Sequence, residues 1–492
     1  MKKKTIISSL AYKFTERLLV KGLGLVISVV LARLLSPDDF GQLAILAVFI
    51  NLSQTIIQSG MNTALVQSKE IDESDYSTVF YLSFGLAIIL IIALFFCAPA
   101  ISLMYESEAL VAPLRVYALS LLFGAFNSVQ VAKLQREMKF KATMVASLIA
   151  TIVSGGVGIV LAYLGAGIWS LVFYNFAYIV CSCFTMLLAA KWFPAPVFSI
   201  KRARKLFNYG GKMFVSAMLC SLYNDIRTLI IGKKFSTEDL GYYNRGQQFP
   251  GIISMTLDSS IQSVMFPALS SVQDQATAIR AMQKKSLGLG ALMAFPVMIG
   301  LALVAEPFIR LLLTEKWLPC VIYMQYLCVA DASITLCSSN LVAIKSVGRS
   351  DIYMYLEIIR RILMIIILTI SVVCFHSVEA IAIGYVISSW LDAIVIAIPM
   401  KKITGYGLLE QIKGLWKIGL ATLVMSVAVF AVNQIVLPTV VSLLVSVVTG
   451  GVVYIITCWL LREENFNYVI KTLKGFLKKE KEFLKKEDSI QE

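Results

Sequence analysis

Charge placed inside apolar runs is the chemistry this sequence offers. The stretch AYKFTERLLVKGLGLVISVVLARLLSPDDFG, from Ala11 to Gly41, is long enough to cross a bilayer, which takes about 20 residues. It nonetheless carries Lys13, Arg17 and Lys21 at every fourth position, with Arg33 further on. On an α-helix that spacing stacks the first three in one stripe. A cationic stripe in lipid is costly unless it borders a wet cavity or the headgroup zone. Lys13 reads first as an interfacial residue that snorkels; Lys21, about two helical turns deeper, reads as the wall of a wet cavity.

Further polar residues interrupt later runs. Asn51, Gln54 and Gln58 lie at helical spacing in the second run, and Arg115 and Asn127 in the fourth. Asp225 and Arg227 share YNDIRTLIIG; Asp258 with Gln262, Glu306 with Arg310, Asp331, Glu357 with Arg360 and Arg361, and Asp392 follow. Intramembrane polar groups mark pathways by default. Arg17, Lys21, Arg33, Asn51, Gln54, Gln58, Arg227 and Arg360 are therefore candidates to line a cavity for an anionic headgroup. Asp225, Asp258, Asp331 and Asp392 are candidates to carry a coupling ion, sodium or a proton. The competing reading is internal ion pairing, for which Glu306 with Arg310 and Glu357 with Arg361, each at i,i+4, are natural partners. Asp225 and Asp392 lack such a partner, which favours them for ion chemistry unless a neighbouring helix supplies one.

The elements that must hold these residues are membrane spans. With 58% apolar and 15% charged residues, the chain reads as an all-α polytopic membrane protein. Apolar runs of sufficient length number about fourteen, the first over 14–34 and the last over 440–461. The net charge of +14 raises nucleic acid as a partner, but the basic residues largely fill alternate gaps between spans, with Lys233, Lys234, Arg245, Arg310 and Lys316 as exceptions. Examples are Lys133, Arg136, Lys139 and Lys141, then Lys191, Lys201, Arg202, Arg204 and Lys205. That distribution is a membrane-orientation signal with both termini cytoplasmic, and nucleic acid is set aside. Nine scattered cysteines and the single His376 make no zinc or haem set. No strand-loop-helix phosphate motif is present, which argues against ATP hydrolysis. The Met1-Lys2-Lys3-Lys4 start imitates a secretory signal but lacks a small-residue cleavage site, so the N-terminus is expected to be retained. The gaps are too short for the catalytic loop a membrane glycosyltransferase, polymerase or ligase would use. After Arg462, apolar Phe466, Ile470, Leu473, Leu477 and Leu484 run at helical spacing among lysines. This reads either as an amphipathic helix on anionic membrane lipid or as a solvated tail.

One turn occurs twice. Leu35-Ser36-Pro37-Asp38-Asp39-Phe40-Gly41 is echoed 200 positions later by Phe235-Ser236-Thr237-Glu238-Asp239-Leu240-Gly241. In each, a Ser caps the next helix, and Pro37 takes its favoured first position. The offset holds an even number of spans, so the halves keep the same orientation, a layout of parallel repeats used by transporters. The expected organisation is a six-helix lobe over 1–200, a second over 201–405, two additional spans over 406–461 and the basic tail over 462–492. Pro250, Pro267, Pro296 and Pro307 permit kinks in the second lobe.

LARLLSPDDFGQLA, IGKKFSTEDLGYYNRGQQFP and MFPALSSVQD resemble the polysaccharide-export branch of the multidrug/oligosaccharidyl-lipid/polysaccharide superfamily, the Wzx-type flippases. The resemblance implies a V-shaped pair of six-helix bundles with a central cationic cavity. It implies movement of an undecaprenyl-pyrophosphate-linked oligosaccharide from the cytoplasmic to the periplasmic leaflet of a bacterial inner membrane, for O-antigen or exopolysaccharide assembly. A sodium or proton gradient would drive it, with polysaccharide polymerase and export machinery as partners. By position, Arg17, Lys21 and Arg33 would belong to the cavity wall and Asp225 to a second-lobe polar cluster, where Arg227 counts against ion binding at that aspartate. Multidrug antiporters share the fold, but an organic cation favours an acidic, aromatic cavity, against which the basic bias of the first lobe argues.

Overall fold

In lipid every backbone donor and acceptor must be paired, and a helix pairs them within itself. The computed structural model is accordingly helical, with no strand among the described residues. It describes residues 3–58, 62, 65, 71–273, 275–472 and 474–475, and the side chains of 3–15, 17–18, 205–210 and 212–213 lie outside the described set.

The chain divides into two compact units, Met1–Asn244 and Arg245–Glu492. The first holds α1 (Lys3–Leu34), α2 (Pro37–Gln58), α3 (Glu73–Met104), α4 (Val111–Ala118), α5 (Ser120–Arg136), α6 (Phe140–Tyr163), α7 (Ile168–Ala190) and α8 (Ile200–Lys234). The next helix, α9 (Thr237–Ser270), crosses the boundary. The second unit continues with α10 (Ala276–Leu303), α11 (Ala305–Leu312), α12 (Cys320–Asp331), α13 (Ile334–Ser346), α14 (Ser350–Phe375), α15 (Val378–Ala397), α16 (Met400–Ile403), α17 (Leu408–Asn433) and α18 (Thr439–Leu460). Within the first unit, α8 packs on α2 and α3. Thr55 and Ser221 hydroxyls meet at 3.3 Å, and Lys233 lies 3.9 Å from Glu106 just past α3.

Among the described residues, 12 helical passes are long and apolar enough to cross a membrane. The expected fourteen included α1 and α9, both helical and long enough but outside that set. Polarity is the reason for α9, whose 247–270 stretch carries Asp258 among serine, threonine and glutamine residues. The fourth pass of each repeat is built alike. A 3-10 turn, Glu108–Leu110 or Glu315–Trp317, leads into a pass broken partway, between α4 and α5 in one unit and α12 and α13 in the other. Each such pass ends in a residue with positive φ, Met138 or Gly348.

The two additional spans join the second unit. Ile418, Ala421, Met425 and Val429 of α17 and Tyr454 and Cys458 of α18 form a core with Ala291 and Leu292 of α10. Tyr454 donates to the Leu292 carbonyl at 3.0 Å, so the one polar atom brought in with that ring is paired.

The tail begins as a helix over 464–472, docked on the same unit. Glu463 accepts from the Phe466 amide at 2.6 Å as an N-cap, while Phe466 and Val469 pack on the α10–α17–α18 core. The Lys285 ammonium lies 3.2 Å from the Tyr468 ring centroid, and Lys284 pairs with Glu464 at 2.9 Å. The Lys284 ammonium holds the Glu464 carboxyl below the usual glutamate range. A carboxyl lowered on folding contributes stability that is complete at neutral pH and is lost as pH falls through the lowered value. The pair is largely solvent-exposed, which limits it to about 0.2–1 kcal/mol. Glu464→Gln should therefore speed deuterium exchange of 464–472 at neutral pH by at most about fivefold; an unchanged rate would mean that apolar docking alone holds the helix. The tail beyond residue 475, with the expected Leu477 and Leu484, lies outside the described residues.

Candidate functional site

The duplicated turns fold as the cap pattern requires. Ser36 and Asp39 bond reciprocally, with the Ser36 amide to Asp39 Oδ2 at 2.9 Å and the Asp39 amide to Ser36 Oγ at 3.2 Å. Ser236 and Asp239 repeat this, at 2.7 Å for hydroxyl to carboxylate and 3.0 Å for amide to hydroxyl. The two turns also touch each other. Thr237 Oγ1 donates to Asp38 Oδ1. A Cβ on Gly41 would strike the carbonyl oxygen of Thr237, and a Cβ on Gly241 would strike that of Pro37. Each glycine thus faces the residue four positions before the other, so the contact is two-fold symmetric like the repeat itself.

The Asn51, Gln54 and Gln58 stripe of α2 lines a cavity of about 480 Å³ in the first unit. α4 and α5 complete it with Tyr117, Gly124, Asn127, Ser128 and Gln135, and Asn62 closes one side. Among the described residues the polar lining is amide, hydroxyl and phenol, with no charged residue. Gly124 is the position at which a larger residue would collide with the Gln54 amide. Sequence reading found the α2 stripe and noted Asn127 but missed Asn62, Gln135 and Tyr117, which fall on no single helical stripe with it. Lys21 and Arg33 are exposed side chains of α1 and are not part of this lining. The side chain of Arg17 lies outside the described residues.

In the second unit the charged residues gather by pairs. Arg360 Nη1 meets Glu357 at 2.7 Å and Arg360 Nε meets Asp392 at 3.1 Å, while Arg361 reaches Glu357 at 3.2 Å. Two carboxylates and two guanidiniums balance, as burial demands. The missing i,i+4 partner of Asp392 is thus supplied across helices, by α14 to α15. The expected pair Glu306–Arg310 also forms, at 3.1 Å. Asp258 accepts from Ser338 and, at 2.8 Å, from Gln262. Asp331 is buried and accepts from the Tyr385 hydroxyl at 3.2 Å. On α8 of the first unit, Arg227 is buried and Asp225 half-buried.

A family model described as polysaccharide biosynthesis protein matches residues 30–322, which include both turns and the amide-lined cavity. The chain belongs to this polysaccharide biosynthesis protein family. Among curated relatives, it is 25% identical over 361 residues to the succinoglycan biosynthesis transport protein ExoT of Rhizobium meliloti (strain 1021), covering 73% of each chain. It is 27% identical to the lipopolysaccharide biosynthesis protein WzxC of Escherichia coli (strain K12), covering 67% of each. It is 24% identical to the teichuronic acid biosynthesis protein TuaB of Bacillus subtilis (strain 168), covering 62% of this chain and 63% of that one. Among solved structures, the fold matches the lipid II flippase MurJ in an inward closed conformation, with a TM-score of 0.74 at 15% identity over 92% of this chain and 98% of the other. It matches an inward-facing MATE-family multidrug transporter of the MOP superfamily less well, with a TM-score of 0.59 at 16% identity over 81% and 94%. The all-α, multi-span membrane fold expected from composition is thus the fold of this family member.

Proposed function

We propose that this family member is a flippase that carries an undecaprenyl-pyrophosphate-linked oligosaccharide from the cytoplasmic to the periplasmic leaflet of a bacterial inner membrane for surface polysaccharide assembly. The observation that carries the reading is an amide-lined cavity set among apolar helices of a chain whose relatives are named for succinoglycan, lipopolysaccharide and teichuronic acid biosynthesis. Sugars cross in such a polar space while the polyprenyl chain stays in lipid, and the chain acts as a transporter, with no covalent change in its cargo. Basic side chains on α1, Arg17, Lys21 and Arg33, hold the pyrophosphate by charge-assisted contacts. Access to the bound head alternates between the two sides of the membrane, driven by a proton or sodium gradient for which Asp225, Asp258, Asp331 and Asp392 are the candidate carboxylates. The alternation of basic gaps supports cytoplasmic termini. Polysaccharide polymerase and export machinery are the expected downstream partners, and anionic lipids the expected contacts of the basic tail. Among the described residues the cavity lining has no carboxylate to pair with an organic cation, which disfavours the multidrug reading.

Disrupting the gene tests this in cells. Surface polysaccharide should fall to background while intact lipid-linked repeat units accumulate, and the cloned chain should restore export. Normal polysaccharide in its absence, with no redundant transporter, would count against the proposal.

A further inference from the structure

The polar groups described in the first-unit cavity are uncharged, mostly amides with the Ser128 hydroxyl and the Tyr117 phenol. Asn51, Gln54 and Gln58 come from α2 and Asn127 and Gln135 from α5, and among the described lining residues there is no lysine, arginine, aspartate or glutamate. A pyrophosphate brought into such a space would leave water for a site without a cation, which is strongly unfavourable. The carbonyl oxygens of Asn62 and Asn127 are buried and accept no hydrogen bond from the described residues. The Asn127 amide nitrogen is already committed, donating to Ser182 Oγ at 3.2 Å. What those two carbonyls lack, therefore, is a donor. An ionised phosphate has none to give, whereas every sugar hydroxyl both donates and accepts. Gly124 keeps the face of α5 open against the Gln54 amide, and a volume of about 480 Å³ leaves room for a short saccharide.

We infer that this cavity is a carbohydrate subsite, which takes uncharged sugar hydroxyls of the lipid-linked glycan and excludes its pyrophosphate. The inference rests on the flippase reading and refines it, since head and sugar are then held by different residues. The cation-bearing α1 carries the charge, and the amides of α2 and α5 read the glycan. Specificity at this subsite comes from hydroxyl geometry, because a hydrogen-bonding pocket rejects a sugar that leaves its amides unpaired.

Binding to purified protein in lipid nanodiscs tests the assignment with two probes, undecaprenyl pyrophosphate bearing the host's own repeat unit and the same lipid without sugar. Asn127→Leu should weaken the sugar-bearing probe about tenfold, the loss of roughly one hydrogen bond to a neutral partner, and leave the bare lipid within about twofold. Asn127→Asp keeps the acceptors and adds a negative charge, so it should hold the sugar-bearing probe within about threefold. Gln58→Leu, at an exposed position, repeats the test where folding is least disturbed. Equal losses on both probes, or strong loss of both with Asn127→Asp, would place the pyrophosphate in this cavity and overturn the subsite while leaving the flippase intact. If the unaltered protein binds neither probe, the flippase reading itself fails and the subsite with it.

Discussion

Replacing Arg360 by leucine should destabilise the second unit by about 3–5 kcal/mol, the usual cost of stripping one partner from a buried ion pair. The reason is specific to the geometry. Arg360 is the residue that bridges α14 and α15, held between Glu357 at 2.7 Å and Asp392 at 3.1 Å. Without it Asp392, whose Oδ1 already accepts no hydrogen bond from the described residues, keeps a buried charge with no counter-charge. Asp392→Leu should cost a similar amount for the mirrored reason. The double variant should recover most of the loss, because Glu357 and Arg361 still balance one another at 3.2 Å. Thermal unfolding of the four proteins in one detergent checks this. Additive losses in the double variant would show that the two residues do not act as a pair.

The second large effect belongs to the duplicated turns. Gly41→Ala and Gly241→Ala should each cost about 1–3 kcal/mol, and valine at either position more, because the added carbon meets a backbone carbonyl, which cannot swing aside as a side chain can. The two substitutions should behave alike, since each glycine faces the other repeat's turn in the same way. Cysteines at Asp38 and Thr237, whose side chains are hydrogen-bonded, should cross-link readily in a background without the native cysteines, and Gly41→Val should slow that bond. Unhindered cross-linking in the valine variant would mean that the turns do not depend on glycine to meet.

Much of this was legible beforehand, for identifiable reasons. Helix caps are local, so Ser36 and Pro37 announced the start of α2, and the echo over 235–241 marked a second turn of the same kind. The α2 stripe was legible because its three amides share one face. What periodicity does not carry is contact between helices. Nothing in the spacing joins Arg360 to Asp392, because the pair spans two helices and a turn. Nothing in the echo of Gly41 by Gly241 says that each repeat presses on the other. Packing of α8 on α2 is likewise a long-range fact that spacing does not carry.

Translocation in proteoliposomes tests the proposal most directly. Purified protein is reconstituted with labelled undecaprenyl-pyrophosphate-linked repeat unit, and the label in the outer leaflet is counted with a non-permeant lectin under an imposed proton or sodium gradient. The expected result is protein-dependent movement of the lipid between leaflets, with its mass unchanged. Movement no faster than in protein-free vesicles under either gradient, or a lipid that emerges covalently altered, would contradict a flippase.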